Sequence, residues 1–506
     1  MKRLIPLFSA GRNAPPGVYA FAFSFLAMAS SPASAAEPEG FPKAGESRHA
    51  EIAPVQEKVL GNGMRVIAAV RPQLPIFVAE AIVESGAEGD PPKLPGLAHL
   101  TADLLSQGTT TRSAPQIASE IEALGAKLET QTHWDAATIK LTGLSDYTAP
   151  AFAILADLIR NPVFAKEEVE RMRRQTLDQL RLALEAPGTI ARFAAMRVSL
   201  GQSPYAHPDA GTLGSLTRIG RKDILALHAR EYRPANVLFV VSGPLPAEEI
   251  FALAENVFGD WKEPKTAAPI SAAPAPAAMP AAAAPPKPRS VLIDMPNAGQ
   301  AAVFLSCSSI PRTAADYYAG KVANALLGGG YSSRLNQEVR VKRGLSYGAG
   351  SAIDTHRSTG LFLASAQTKN ESAAEVVNVI RTEVARLGTE AAPADYLSTR
   401  KAVLTGAFAR DLETNEGYIK RLGELALYGL PLDTMEHTVG NIESVDAEAL
   451  RAFAEHHLPA SALSVVIAGN ARQAAEPLRK LIPEIEVIPQ AALDFESASL
   501  KKAPRK

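Results

Sequence analysis

The chain has 506 residues, which is long for one domain and sufficient for two or three. Its 52 Lys and Arg residues nearly balance 53 Asp and Glu residues, leaving a formal charge of -1. This balance gives no electrostatic footprint for nucleic acid or for an anionic membrane surface, so we expect neither as a partner. The 46% hydrophobic content is enough to bury ordinary globular cores.

Residues 1–36 have the composition of a secretory signal peptide. A basic start precedes the apolar run 18–29, which is too short to span a bilayer, and small residues follow at 33–36. We therefore expect export, cleavage of this segment and a periplasmic location. No later stretch is long and apolar enough for a membrane helix, so the sequence predicts no membrane span after cleavage.

Two β-rich runs at 64–70 and 76–83 precede a helical segment that carries His99. On a helix His99, Ala102 and Asp103 share one face, because positions three and four apart are neighbours. The five positions from His99 to Asp103 resemble the inverted zinc motif H-x-x-E-H, in which two His bind zinc and the Glu activates water. Ala replaces the Glu and Asp replaces the second His, so we expect no catalysis at a zinc ion of its own.

A Pro/Ala-rich stretch at 264–289 divides the mature chain and is typical of a semi-rigid linker. Short matches relate the two halves. Segment 103–108 resembles segment 325–330, and Pro234 before one predicted strand is matched by Pro459 before another. Strands and amphipathic helices alternate in each half, which predicts an α+β or an α/β layer fold in each half. In the first half, one long helix is predicted from apolar side chains at helical spacing, namely Val169, Met172, Leu177, Leu180 and Leu184.

Cys307 is the only cysteine, which excludes an intrachain disulfide. It lies in the strand-like run 301–308, preceded by a second β-rich run at 291–294. A buried core residue is favoured over a reactive thiol.

Two short motifs invite catalytic interpretations that their context disfavours. Residues 344–348 match G-x-S-x-G, but a nucleophile elbow needs a strand before the Ser and a helix after it. Here a predicted helix at 332–343 precedes Ser346 and a strand or loop follows. Residues 328–330 are three Gly, but no Lys-Ser/Thr follows as a phosphate loop requires, so a helix terminator is favoured.

The segment 328–347 closely resembles the second-half hallmark of the insulinase/pitrilysin family of zinc metallopeptidases. Arg340 and Tyr347 have the spacing of the Arg-Tyr pair that helps to bind substrate in that family. In the first half, segment 96–109 resembles the family's zinc helix, and segments within 204–243 resemble its closing part. The resemblance covers nearly all of the mature chain. It implies two homologous α/β-roll domains in tandem, forming half of a clam-shell chamber that closes with a partner subunit.

The expected organisation has five parts. They are a signal peptide at 1–36, an N-terminal insulinase-like domain with a degenerate zinc motif at 37–263, the linker at 264–289, a C-terminal insulinase-like domain with the Arg/Tyr motif at 290–490, and a tail at 491–506.

The departures from the family pattern concern the metal site. The family's Glu base is Ala102, its second His is Asp103, and its third ligand, a Glu further along the chain, aligns with Gln179 beside Asp178. Only His99 is retained. We therefore expect no metal bound by this chain, and zinc in a partner.

Some members of the family work as two-chain enzymes, in which one subunit holds zinc and the other supplies the Arg-Tyr pair. The resemblance implies that this chain is the non-catalytic, substrate-binding subunit of an exported heterodimeric zinc metallopeptidase, inactive alone. Its partners would be a homologous subunit with an intact H-x-x-E-H motif and a peptide substrate. One alternative is a catalytically silent peptide-binding or structural assembly protein. Another is a self-contained metalloenzyme that uses His99 and Asp103 with another base.

Overall fold

The computed structural model describes residues 52–263 and 286–503. The predicted signal peptide and most of the predicted linker lie outside the described residues. Across the described ranges, every helix is too short or too polar to pass through a bilayer.

Twelve strands of the described chain form two six-stranded sheets. The first sheet has the order β1-β2-β6-β3-β5-β4 and consists of β1 (Val55–Val59), β2 (Arg65–Val70), β3 (Ile76–Val83), β4 (Lys127–Thr132), β5 (Ala137–Leu144) and β6 (Val237–Gly243). The second has the order β12-β7-β11-β8-β10-β9 and consists of β7 (Ser290–Asp294), β8 (Ala301–Ser309), β9 (Ala349–Thr355), β10 (Gly360–Thr368), β11 (Ser464–Gly469) and β12 (Glu486–Pro489).

Helices follow the strands in both halves. Those of the first half are α1 (Leu97–Leu104), α2 (Ala114–Ala123), α3 (Thr148–Arg160), α4 (Lys166–Ala183), α5 (Pro187–Leu200), α6 (Leu213–Arg218), α7 (Arg221–Glu231) and α8 (Ala247–Phe258). Those of the second half are α9 (Tyr317–Leu327), α10 (Arg334–Asn336), α11 (Ala373–Thr389), α12 (Ala394–Glu413), α13 (Asn415–Leu427), α14 (Thr434–Glu443), α15 (Ala447–His457) and α16 (Ala471–Leu481). A π-helix, Gln337–Val341, continues α10.

The two sheets repeat one topology over five strands. Strands β2-β6-β3-β5-β4 correspond in order and direction to β7-β11-β8-β10-β9. The sixth strand differs, because β1 runs antiparallel to β2 whereas β12 runs parallel to β7. The predicted strands and the repeat are confirmed, and so is the fold class of two tandem α/β domains. The long helix predicted from Val169 onward is α4.

Each half covers one face of the other half's sheet. Helix α5 of the first half packs on β8, β10 and β11, where Ile190 and Val198 join a buried cluster with Val466. Helix α13 of the second half packs on β3 and β6, where Leu422 joins a buried cluster with Val240. The opposite face of each sheet carries helices of its own half. The halves are therefore joined by a reciprocal exchange of helices.

Asp135 links loops from both halves. It lies at the tip of the β4–β5 hairpin, and its side chain is only 2% exposed. Its carboxylate accepts hydrogen bonds from Tyr205 Oη at 2.5 Å, Tyr428 Oη at 2.9 Å and the backbone N–H of Arg357 at 3.2 Å. Burial alone would raise the pKa of Asp135, but the neighbouring His356 and the hydrogen bond from Tyr205 outweigh it and lower the pKa.

The segment predicted as a tail packs against the first half over its described residues. The ring of Phe495 meets the ring of Phe193 of α5 edge to face, with centroids 5.6 Å apart. The carboxylate of Glu496 accepts a hydrogen bond from Arg218 of α6 at 2.7 Å. The chain after β12 is therefore an ordered strap across α5 and α6.

Candidate functional site

Helix α1 begins where the buried carboxylate of Asp90 binds three backbone N–H groups. These belong to Gly96, Leu97 and Ala98, at 2.7, 3.1 and 2.8 Å. The contacts satisfy donors that have no partner inside the helix. Gly96 has a φ of 92°, which favours Gly over residues with a Cβ. Because the leucines of α1 are buried, the helix has a fixed rotation that leaves His99 at the surface.

His99 and Asp103 are brought together one turn apart on α1. Their Nε2 and Oδ2 atoms are 3.4 Å apart, and the side chains are 27% and 26% exposed. Burial raises the pKa of Asp103, and the neighbouring His99 partly offsets this. Ala102 is completely buried, so the position of the family's catalytic base holds a methyl group that fills the core. The helix retains a polar pair without a general base.

Helix α4 does not complete a metal site in the structure. Gln179 is exposed, and the carboxylate of Asp178 pairs with Arg181 of the same helix at 2.7 Å. Within residues 52–263 and 286–503, no three His, Cys, Asp or Glu side chains are grouped so as to hold a metal ion.

Arg340 lies in the π-helix that follows α10. The predicted helix at 332–343 is therefore only partly regular, because the N–H of Lys342 bonds the carbonyl of Gln337, five residues earlier. Such widened turns are frequent at functional sites. The guanidinium of Arg340 stacks on the ring of Tyr331, with its Cζ 4.9 Å from the ring centroid. This cation–π contact fixes the direction of a half-buried side chain.

Tyr347 lies just before β9 and is 89% exposed. Its ring is thus available for contact with another molecule. Ser346 beside it closes a local turn, since its Oγ donates to the carbonyl of Gly348 at 2.7 Å. A π-helix precedes Ser346 and a strand follows it, which is the reverse of a nucleophile elbow.

The loop between α9 and α10 is held by residues that sequence reasoning missed. Tyr396 Oη donates to the carbonyl of Ser332 at 3.0 Å, and Asn336 Nδ2 donates to the carbonyl of Tyr331 at 2.5 Å. A Cβ on Gly328 would lie 2.2 Å from the backbone nitrogen of Ser351, so only Gly fits at this crossing. The three Gly therefore end α9 against β9, as the helix-terminator prediction requires.

Cys307 lies in β8 and is buried, as predicted. Burial raises the pKa of its thiol to about 12. The thiol is therefore protonated at neutral pH.

Two family models match the chain. Residues 66–193 match the insulinase family, peptidase family M16, and residues 218–404 match the peptidase M16 inactive domain. The first match contains α1 with its His99–Asp103 pair, and the second contains Arg340 and Tyr347. The chain therefore belongs to the insulinase (M16) peptidase family, and it is of the non-catalytic type.

Known relatives agree with this assignment. The chain is 26% identical to an uncharacterized zinc protease of Mycobacterium leprae over 421 residues, 82% of this chain and 91% of that protein. It is 20% identical to an uncharacterized zinc protease of Bacillus subtilis, covering 78% of this chain and 93% of the relative.

Solved structures share the fold. A crystal structure of a peptidase M16 inactive domain from Pseudomonas fluorescens superimposes with a TM-score of 0.75 at 27% identity, covering 82% of this chain and 98% of that one. A protease from Helicobacter pylori superimposes with a TM-score of 0.76 at 17% identity, covering 82% and 99%.

Proposed function

We propose that this chain is the non-catalytic, substrate-binding subunit of an exported heterodimeric zinc metallopeptidase of the periplasm. It supplies Arg340 and Tyr347 to the active site of a homologous partner, whose intact H-x-x-E-H motif holds the zinc. The two chains close as the halves of a clam-shell chamber around a peptide substrate.

One contrast within the chain carries the proposal. Helix α1, which resembles the family's zinc helix, has the buried methyl group of Ala102 where a catalytic base is needed. The second half, by contrast, retains the Arg-Tyr pair, with Arg340 half-buried and Tyr347 almost fully exposed. A hydrolytic role inside this chain therefore lacks its base, while the groups that would contact substrate remain accessible. This combination favours action on a site that another chain provides.

The chemistry of the two side chains suits such a role. Peptide hydrolysis develops negative charge on the scissile carbonyl oxygen, and fixed donors near that atom stabilise the transition state more than the ground state. Tyr347 offers a phenolic O–H, and Arg340 offers a fork of N–H groups. The stacking of Arg340 on Tyr331 limits the entropy that is lost when the guanidinium meets its acceptor.

The test is reconstitution of the complex with the homologous subunit that carries H-x-x-E-H. We expect Arg340→Ala to lower kcat/KM by about 100-fold, the effect typical of losing one transition-state donor, and Tyr347→Phe to lower it by about tenfold or more. Both variants should still assemble, as judged by size-exclusion chromatography. Arg343→Ala is the matched control, because Arg343 is exposed and already pairs with Glu338.

Three results would contradict the proposal. Unchanged kcat/KM in both variants would show that Arg340 and Tyr347 have no role in the reaction. Partner activity that stays the same when this chain is added would indicate a silent assembly protein. Zinc content together with peptidase activity of the purified single chain would instead identify a self-contained metalloenzyme at His99 and Asp103.

A further inference from the structure

The guanidinium of Arg340 is held by an aromatic ring and not by a carboxylate. Its Cζ lies 4.9 Å from the ring centroid of Tyr331. In the part of the chain that the structure describes, no acidic side chain comes within 4.0 Å of it. The next two cations along the chain, Lys342 and Arg343, both pair with Glu338. Within the π-helix and the turn after it, Arg340 is therefore the cation whose N–H groups have no carboxylate acceptor.

Stacking on a ring differs from ion pairing in what it leaves free. A ring attracts the face of a guanidinium, whereas a carboxylate occupies its N–H groups. The N–H groups of a stacked guanidinium lie in its plane and remain available to another acceptor. The Tyr331 ring can therefore orient Arg340 without using the donors that a substrate carbonyl would need.

The backbone of Arg340 is fixed by the core beneath it. Leu335 and Val339 are completely buried in the second-half core, which sets the rotation of α10 and of the π-helix. The carbonyl of Arg340 accepts a hydrogen bond from the N–H of Gly344 at 3.0 Å, and the carbonyl of Val339 accepts one from the N–H of Leu345 at 2.9 Å. The freedom that remains to Arg340 is therefore in its side chain, where the Tyr331 ring acts.

The side chain of Tyr331 is exposed, but the backbone beside it is fixed by two helices. Its carbonyl accepts a hydrogen bond from Asn336 Nδ2 of α10 at 2.5 Å. The carbonyl of the adjacent Ser332 accepts one from Tyr396 Oη of α12 at 3.0 Å. Ser332 Oγ accepts another from Nη2 of Arg400, a residue of α12 that is only 4% exposed, at 2.8 Å. Helix α12 thus supports the loop from which the Tyr331 ring projects.

We propose that Tyr331 is a positioning residue for Arg340: its ring holds the guanidinium in the direction that meets the substrate, and the loop between α9 and α10 holds the ring. This inference rests on the proposed substrate-binding role of Arg340. It assigns the effect to the aromatic ring of Tyr331 and not to its phenolic O–H.

The first test is steady-state kinetics of the reconstituted complex. We expect Tyr331→Leu to lower kcat/KM by about tenfold, because a guanidinium that has lost its orientation meets its acceptor less often. Tyr331→Phe keeps the ring and should stay within about twofold of the wild type. Tyr147→Leu is the matched control, because Tyr147 is also an exposed tyrosine but precedes α3 in the first half. A Phe variant as weak as the Leu variant would overturn the positioning role, since the O–H would then be the group required.

A double-mutant cycle separates positioning from direct contact with substrate. If Tyr331 acts through Arg340, Tyr331→Leu should lower kcat/KM by less than about twofold once Arg340→Ala is present. A full loss of about tenfold in that background would show that Tyr331 acts by itself, and the positioning role would be wrong. If Arg340→Ala lowers kcat/KM and Tyr331→Leu does not, only the positioning role is wrong and the proposed function stands.

Chemical modification of the purified chain tests the contact without a partner subunit. Stacking covers one face of the Arg340 guanidinium, so phenylglyoxal should react mainly with the unstacked form. We expect Arg340 to react about two- to fivefold faster in Tyr331→Leu than in the wild type, the change that corresponds to losing an exposed cation–π contact, and at the wild-type rate in Tyr331→Phe. Mass spectrometry of the peptides gives the rate, and Arg343 is the internal control.

The outcomes separate the two claims. Equal Arg340 modification rates in all three proteins would overturn the positioning role even where the kinetics of Arg340→Ala support the proposed function. No effect of Arg340→Ala on kcat/KM would overturn the proposed function and, with it, the positioning role, whatever the modification rates are. Thermal denaturation of each variant reports any loss of folding separately.

Discussion

At the residue scale, Glu88 stands out because it is a second carboxyl group next to the buried Asp135. Burial, reinforced by the negative charge of Asp135, raises the pKa of Glu88 to about 8, although Arg357 opposes the shift. The Glu88 carboxylate and the Arg357 guanidinium are 3.7 Å apart, too far for a hydrogen bond. Two neighbouring carboxyl groups with opposite pKa shifts therefore respond to pH in opposite ways.

Glu88 makes the folded state less stable as pH rises. An unfolded chain releases this proton near pH 4.5, whereas the folded chain keeps it up to about pH 8, so the free energy of unfolding falls across that window. We expect the Tm of Glu88→Gln minus the Tm of the wild type to increase as pH rises from 5 to 8. Thermal denaturation at constant ionic strength measures this, with exposed Glu448→Gln as the control. Parallel Tm profiles for Glu88→Gln and wild type would refute it.

The lowered pKa of Asp135 affects the free energy of unfolding at acidic pH. Because hydrogen bonds hold it below the ordinary value, its contribution is fully present above about pH 4 and is lost as pH falls through the lowered pKa. Together, Glu88 and Asp135 therefore stabilise the folded state most at mildly acidic pH.

At the scale of single elements, α1 shows how a loop residue can fix a helix. Asp90 lies in the loop six residues before Gly96, and its carboxylate accepts hydrogen bonds from the N–H groups of Gly96, Leu97 and Ala98. The interaction also sets where His99 and Asp103 stand relative to the core.

Removing this cap should destabilise the fold. We expect Asp90→Ala to lower the free energy of unfolding by about 1 to 3 kcal/mol, since buried N–H groups lose their acceptor. Urea denaturation measures the change, and Asp178→Ala, at an exposed position of α4, is the control. A change equal to that of the control would show that water or another group replaces the carboxylate.

Local patterns predicted individual elements well. Strands β2, β3, β7 and β8 follow runs of β-branched and apolar residues, and α4 follows a stripe at helical spacing, so periodicity located them. The π-helix that holds Arg340 was not predictable, because one shifted hydrogen bond leaves no mark in the sequence. The contact of Tyr396 with the carbonyl of Ser332 was not predictable either, because it joins residues 64 positions apart.

Long-range packing was the larger part of the fold that the sequence did not predict. Helix α5 has buried residues on most of its surface, which indicates burial, but nothing in its sequence says which sheet it meets. In the segment 328–347, by contrast, sequence resemblance alone identified Arg340 and Tyr347 as candidates, and their role stays a prediction.

At the scale of the whole molecule, the exchange of α5 and α13 ties the two halves into one folding unit. Side chains such as Leu422 are fully buried against the first sheet, and each such side chain contributes about 1.5 to 3 kcal/mol. The predicted linker at 264–289 is therefore not needed to keep the halves together.

Cutting the chain within that linker tests this directly. We expect a protein carrying an inserted protease site at 264–285 to remain one particle after complete cleavage, because both exchanged helices stay buried. Size-exclusion chromatography with gel analysis of the peak shows whether the fragments co-elute. Fragments that separate without denaturant would show that the covalent connection, and not the packing, holds the halves.

Because of the helix exchange, the strands of the first sheet are synthesised long before the helix that covers one of its faces. The strands of the first sheet are all made once the chain reaches Gly243, but α13, which covers one face of that sheet, begins at Asn415. That delay is roughly 170 residues, or about 10 to 40 s at ordinary rates of translation. A first sheet that forms during this delay has one apolar face uncovered until α13 is made. We therefore expect the first half to stay unfolded, or to be shielded by another molecule, until the second half exists.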